Sequence, residues 1–263
     1  MENESNRKLF PEERRQQIRT LVGENGRVSV DELTMRFDVS SVTIRTDLGR
    51  LEREGVVKRT HGGAIALASD DSRADPSFGE RELLNQNEKA RIGEAAAALV
   101  SDGSTILLDA STTTLQMAKH IRQRRAVTVV TNCLPIAMAF DDAPGITVVI
   151  LGGIVRPSSW SVVGNWLNQI LAEINIDRAF LGCKGITPDE GYSDVNAWII
   201  ETKKSMMAVA RDSVVLADHG KWGRVAFASF AAIDAVSTIV TDSGVPTDMV
   251  KSVQARGVDV VVV

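Results

Sequence analysis

The sequence predicts an α/β protein in two parts: a small helical N-terminal segment, then a larger layered domain with a mostly parallel sheet. Residues 1–66 follow a helical rhythm, whereas residues 104–263 alternate short Val/Ile runs with amphipathic stretches. Most of those runs are unbroken, as expected for strands covered on both faces, and the intervening helical patterns complete strand–helix alternation. A chain of 263 residues has room for roughly one and a half to two ordinary domains.

Seven strands are expected, at 104–110, 126–132, 146–153, 178–186, 213–218, 236–242 and 258–263. Helices are expected at 88–101, 113–123, 160–173, 196–210 and 247–256. The polar, proline-containing stretch after residue 66 reads as a linker, which sets the expected domains at 11–66 and 88–263 with 67–87 between them.

Composition excludes several classes. The net charge of −4 advertises neither a membrane nor a nucleic-acid partner, although residues 1–66 are less acidic (12 Lys+Arg, 11 Asp+Glu) than the remainder (18 and 23). Cys133 and Cys183 suit neither a disulfide framework nor a zinc site, and His61, His120 and His219 are scattered, so no metal or cofactor is expected. The N-terminus has no apolar core of a signal peptide, and runs such as ITVVIL are too short to span a bilayer. The expectation is a cytoplasmic protein.

In the first segment, Pro11 opens a helix whose Ile18, Leu21 and Val22 share a face, and Gly26 is placed to end it. A short second helix carries Leu33 and Phe37. Ser40 then caps a third helix, with Ile44, Leu48 and Leu51 as its buried stripe. Stepping about 100° per residue puts Val42, Arg45, Thr46, Gly49 and Arg53 on the opposite face. Two strands around Gly62-Gly63, bearing Lys58, Arg59 and His61, follow as a wing. This is helix-turn-helix anatomy, although small three-helix modules also mediate protein–protein contacts.

The string ERRQQIRTLVGENGRVSVDELTMRFDVSSVTIRTDLGRLEREGVVKRTHGGA closely resembles the N-terminal domain of DeoR-type bacterial transcriptional regulators. The resemblance implies a winged helix-turn-helix, with the motif proper at Val28–Asp47, that binds operator DNA. Ser40, Ser41, Val42, Thr43, Arg45 and Thr46 are expected at the groove, with Arg59 and His61 from the wing and Lys58 on phosphate. The family usually has two consecutive arginines before the Asp; here they are Arg45-Thr46, which removes one expected DNA contact.

In the second part, the strand STILLD ends in Asp109 and is followed by Ser111, Thr112, Thr113 and a helix. Hydroxyls and free N–H groups at a helix N-terminus form an anion site; simple capping explains any one of them equally. Thr131-Asn132 and Gly152-Gly153 also end strands, the glycines serving either close backbone approach or a tight turn. Asp218 and Lys221 follow another strand; a solvated Lys and a packing Trp222 are the plain alternatives. Glu201 and Lys204 on a helix fit an ordinary surface ion pair.

DGSTILLDASTTT, VTVVTN, LGGIVR, VVG, FLGCKGI, N-x-x-x-x-E-x-x-K and ADHGKWGR resemble the DeoR effector domain. Together the two resemblances span about residues 11–263. The second implies a fold similar to ribose-5-phosphate isomerase and a pocket for phosphorylated sugars or related metabolites. Its lining would be Asp109, Ser111, Thr112, Thr113, Thr131, Asn132, Gly152, Gly153, Glu201 and Lys221. The family more often has an acidic or amide residue at Lys184; facing the pocket, Lys184 would favour an anionic effector, and facing water it would say nothing.

The expected function is a homo-oligomeric regulator, a repressor of carbohydrate-metabolism genes relieved by a phosphorylated sugar. The rivals are a sugar-phosphate isomerase using Asp109, Glu201 and Lys221, and a scaffold whose head does not touch DNA.

Overall fold

A computed structural model describes residues 10–25, 27–53, 57–60, 62–66 and 76–263. The chain divides into two compact units, Met1–Ala74 and Asp75–Val263.

The first unit contains α1 (Pro11–Asn25), β1 (Arg27–Ser29), α2 (Val30–Phe37), α3 (Ser41–Arg53), β2 (Val57–Thr60) and β3 (Gly63–Ala66). Ser29 caps α2 with a reciprocal Glu32 capping box. Asp38, left-handed at φ 49°, ends it and begins the short turn into α3. Ile18, Val22, Leu33, Ile44, Leu48 and Leu51 close the core, as their spacing predicts. The wing has three strands in the order β1-β3-β2. β1 was not expected, because three residues are too short to show a period. Gly63 is demanded by this pairing: a Cβ there would lie 2.0 Å from the Val28 carbonyl oxygen. Gly26 and His61 fall outside the described residues, as does the Lys58 side chain.

The second unit opens with α4 (Phe78–Leu83) and α5 (Gln86–Ala97). The described part of the expected linker is therefore ordered: Ser77 and Glu80 form a capping box, and Phe78 is buried. There follow β4 (Thr105–Leu108), α6 (Thr112–Ile121), β5 (Val127–Thr131), α7 (Leu134–Met138), β6 (Ile146–Ile150), β7 (Ile154–Arg156), β8 (Ser161–Val163) and α8 (Asn165–Leu171). The chain continues through β9 (Ile176–Leu181), β10 (Gly185–Thr187), β11 (Gly191–Asp194), α9 (Ala197–Val209), β12 (Ala210–Leu216), β13 (Ala228–Ala231), β14 (Thr238–Thr241), α10 (Thr247–Gln254) and β15 (Asp259–Val262).

The seven expected strands form one parallel sheet in the order β15-β14-β12-β9-β4-β5-β6. Alternation along each strand splits the core. Ile106, Leu108, Phe180 and Val214 pack with α5 and α6, whereas Leu107, Ala179, Leu181 and Val215 pack with residues of α8, α9 and α10. The expected helix at 160–173 starts late, because Ser161–Val163 pairs with β7 and Gly164, at φ 113°, separates that strand from α8. A small antiparallel sheet, β10-β11-β13, follows β9 in two excursions. No helix among the described residues is long and apolar enough to cross a membrane.

Candidate functional site

The order of the sheet changes direction between β4 and β9, and ligands of open α/β sheets bind beyond the carboxyl ends of strands at such a switch point. There Asp109 leaves β4 and Gly182 leaves β9. The Gly182 N–H donates to Asp109 Oδ2 at 3.0 Å. A Cβ on Gly182 would lie 2.5 Å from Ser111 Cβ, so only glycine allows this approach. Ser111 caps α6 by accepting the Thr114 N–H at 3.1 Å. Thr114 Oγ1 in turn donates to the Asp109 carbonyl at 2.8 Å.

Two cavities meet at this point, sharing Arg81, Ser111, Gly182, Cys183 and Lys184. The first, beside the N-terminal turn of α6 with Thr112 and Thr113, is cationic. Arg81, Lys89, Lys184, Lys221 and Arg224 line it against one carboxylate, Asp218. Lys89 is only 3% exposed, and its ammonium donates to the carbonyls of Arg81 and Leu84, the latter at 2.6 Å. Burial pushes its pKa down to about 8; Asp218 opposes this, and Lys221, Arg81 and Lys184 add to it. Asp218 Oδ1 accepts from Asn85 Nδ2 at 2.8 Å and from the Gly220 N–H at 3.0 Å, fixing the turn that carries Lys221.

The second cavity is built on Lys203, 6% exposed on α9. Its ammonium lies 3.0 Å from Asp109 Oδ2 and 3.0 Å from Asp194 Oδ2, and it donates to the Gly182 carbonyl. The Phe230 ring lies beneath it. Burial pushes the Lys203 pKa down, but the two carboxylates overcome this and hold it above the usual lysine range. Asp194 is raised by burial and more than compensated by Lys203, so it stays below the usual carboxylate range. Asn132, Ser159 and Ser161 complete the wall.

In the first unit, Ser40 Oγ caps α3 at the Thr43 N–H, 3.2 Å away. Val42, Arg45 and Thr46 are exposed, whereas Ile44, Asp47 and Leu48 are buried. Asp47 is clamped to α1: Arg14 Nε donates to Oδ2 at 2.6 Å and Arg15 to Oδ1 at 3.3 Å. The Arg59 guanidinium reaches within 3.5 Å of where a Cβ on Gly49 would stand, so the wing lies along the outer face of α3.

Residues 84–243 match the family model of the DeoR C-terminal sensor domain, and residues 14–70 match that of the DeoR-like helix-turn-helix domain. The chain belongs to the DeoR family of transcriptional regulators. The HTH-type transcriptional regulator GolR of Listeria innocua serovar 6a is 35% identical over 96% of this chain and 98% of its own length. A putative aga operon transcriptional repressor of Escherichia coli O157:H7 is 32% identical over 95% of this chain and 93% of its own. Among solved structures, ribose 5-phosphate isomerase A of Methanocaldococcus jannaschii aligns with 52% of this chain and 55% of its own at 19% identity, with a TM-score of 0.40.

Within the sensor domain, Asp109, Ser111 and Asn132 line the second cavity, and Ser111, Thr112, Thr113 and Lys221 line the first. Lys184 faces both. Four expected residues do other work. The Thr131 hydroxyl, fully buried, donates to the Leu108 carbonyl at 2.7 Å and accepts the Cys133 N–H, so it ties β5 to β4. Gly152 and Gly153 are exposed outside both cavities; a Cβ on Gly153 would meet the Val163 carbonyl oxygen at 2.6 Å, so this glycine serves the β7–β8 hairpin.

The fourth is Glu201, whose side chain is 66% exposed and pairs with Lys204 at 3.3 Å. Ile199, Thr202, Lys203 and Met206 form the cavity face of α9, so the helix turns Glu201 away and the trio Asp109, Glu201, Lys221 is not assembled. Trp222 is buried and donates to Thr241 Oγ1 at 3.1 Å, the packing alternative.

Sequence reasoning missed Arg81, Lys89, Asp194, Lys203 and Arg224. A signal existed for two of them. Lys89 precedes Ile92, Gly93 and Ala96 by three, four and seven residues, and Lys203 follows Ile199 by four and precedes Met206 by three, the spacing of one helix face.

Proposed function

We propose that this regulator is a repressor of carbohydrate-metabolism genes that binds operator DNA as a homo-oligomer and leaves it when a phosphorylated sugar occupies the sensor domain. The observation that carries the effector class is the cationic cavity at the α6 N-terminus, where five Lys and Arg side chains face a single carboxylate. A dianionic phosphate satisfies both the side-chain charges and the first-turn N–H groups of Thr112 and Thr113. An arriving anion adds to the one counter-charge, Asp218, that acts on buried Lys89.

On the DNA side, Ser40, Ser41, Val42, Thr43, Arg45, Thr46 and Arg59 supply hydroxyl, methyl and guanidinium groups to a major groove, with Lys58 and His61 expected from the sequence to add to them. Paired heads on repeated half-sites supply the specificity that one small head lacks. The switch requires only that the effector prefer one of two arrangements of the heads; a preference of about 10⁴ moves operator occupancy from nearly full to nearly empty.

The test is fluorescence anisotropy on labelled DNA from upstream of the gene, at fixed salt with excess random competitor, with and without a panel of sugar phosphates. Competitor-resistant binding that one compound releases supports the reading. Binding indifferent to every phosphorylated compound, but released by an unphosphorylated metabolite, contradicts it.

A further inference from the structure

The two cavities are chemically opposite. At the α6 end five Lys and Arg side chains face one carboxylate, Asp218. At the far end, Lys203 has three N–H donors and three acceptors already in place: Asp109 Oδ2, Asp194 Oδ2 and the Gly182 carbonyl. It has none left for a ligand. Beside it stand two acceptors with capacity to spare. Asp109 Oδ1 has only a 3.3 Å approach from Thr114 Oγ1, a hydroxyl already engaged with the Asp109 carbonyl at 2.8 Å.

Asn132 adds a further acceptor. It is 4% exposed, and its Nδ2 donates to the Val162 carbonyl at 2.9 Å, which fixes the orientation of the amide. Its Oδ1 is buried with no hydrogen-bond partner among the described residues. Buried acceptors left without donors are rare and costly, and this one belongs to a wall of the ligand cavity.

We propose that the far cavity reads an uncharged, hydroxyl-bearing end of the effector, so that the sensor selects a phosphorylated sugar or polyol and rejects the corresponding phosphorylated sugar acid. The proposal rests on the sugar-phosphate reading above. Hydroxyls donate to Asp109 and Asn132 and satisfy both. A ligand carboxylate brings a third negative charge beside Asp109 and Asp194, meets an ammonium with no donor to spare, and leaves Asn132 unpaired. Arg81 and Lys184 line both cavities where they join, and are shared with the phosphate end.

Titration calorimetry on the full chain tests this with matched pairs differing at one carbon: glucitol 6-phosphate against 6-phosphogluconate, and ribitol 5-phosphate against 5-phosphoribonate. Inorganic phosphate and the unphosphorylated polyols serve as references. In at least one pair the polyol phosphate should bind about tenfold or more tightly than its acid, the scale of unpairing a buried polar group. Asp194→Asn should narrow that ratio without changing the affinity for inorganic phosphate, and a melting curve establishes that the variant is folded.

Acids that bind as well as their polyols in both pairs overturn the proposal, as does a panel in which no polyol phosphate exceeds inorganic phosphate. If inorganic phosphate and every phosphorylated compound fail to bind, the sugar-phosphate reading itself falls, and the proposal with it.

Discussion

The Lys203 ammonium on α9 lies 3.0 Å from Asp109 Oδ2 at the end of β4, and it spans from there to Asp194 on β11. One buried cation thus joins a central strand, a helix of the opposite layer and the small sheet. Lys203→Met strands two buried carboxylates and should cost about 3–5 kcal/mol, the usual penalty for breaking a buried ion pair, read by chemical denaturation.

The sign of its pH dependence follows. In the wild type, Asp194 is held below its unfolded value, so its contribution is present above the ordinary carboxylate range and lost on acidification. Lys203 is held above its unfolded value, so its contribution is present below the ordinary lysine pKa and lost only in strong alkali. Without Lys203, burial is the largest influence on Asp194 and raises it, opposed by the Val195 N–H and the charge of Lys184. The variant should therefore gain stability as pH falls from 7 towards about 5, where the wild type does not; a wild-type-like profile contradicts the pairing.

Lys89 gives a second pH signature. With its pKa lowered to about 8, it is partly neutral at that pH, and a bound phosphate should draw a proton back onto it. Calorimetry near pH 8 in buffers of different ionisation enthalpy should show net proton uptake on phosphate binding. Lys89→Met should abolish the uptake and weaken binding. The affinity should also fall as pH rises through 8, because the charged form is the one the anion prefers.

In the helix-turn-helix domain, Asp47 makes no use of solvent; it holds α3 against α1 through Arg14 and Arg15. Asp47→Ala removes the carboxylate that Arg14 and Arg15 share, although Arg15 keeps Glu12, and should cost about 1–3 kcal/mol in that domain. Operator binding should weaken although Asp47 faces away from DNA. An early thermal transition, absent from the separately expressed sensor domain if that domain folds, locates the loss.

Arg45 is exposed on the opposite face of the same helix. Arg45→Ala should cost about 1–3 kcal/mol on the operator and relax its sequence preference. Equal losses on operator and random DNA would instead mark Arg45 as a phosphate contact.

The parallel sheet was legible because each of its strands is a Val/Ile run between helical patterns, and Asp109-x-Ser-Thr-Thr was legible because a strand end runs directly into a helix start. The remainder of the site is non-local. Asp194 reaches Lys203 through a short antiparallel hairpin whose three- and four-residue strands show no period, and Arg81 arrives from a helix inside a stretch whose composition reads as linker. Glu201 stands in the lining that the resemblance implies because N-x-x-x-x-E-x-x-K carries no helix phase, whereas the phase set by Ile199 and Met206 turns Lys203 inward.

The most direct test of the whole account is operator release in wild type and Lys221→Ala side by side. The wild type should leave labelled operator as a sugar phosphate is added. Lys221→Ala should bind the operator equally well without effector and need at least about tenfold more compound for release, the scale of one lost charge-assisted contact. Release at the same concentration in both proteins would contradict the assignment of the cationic cavity as the sensor.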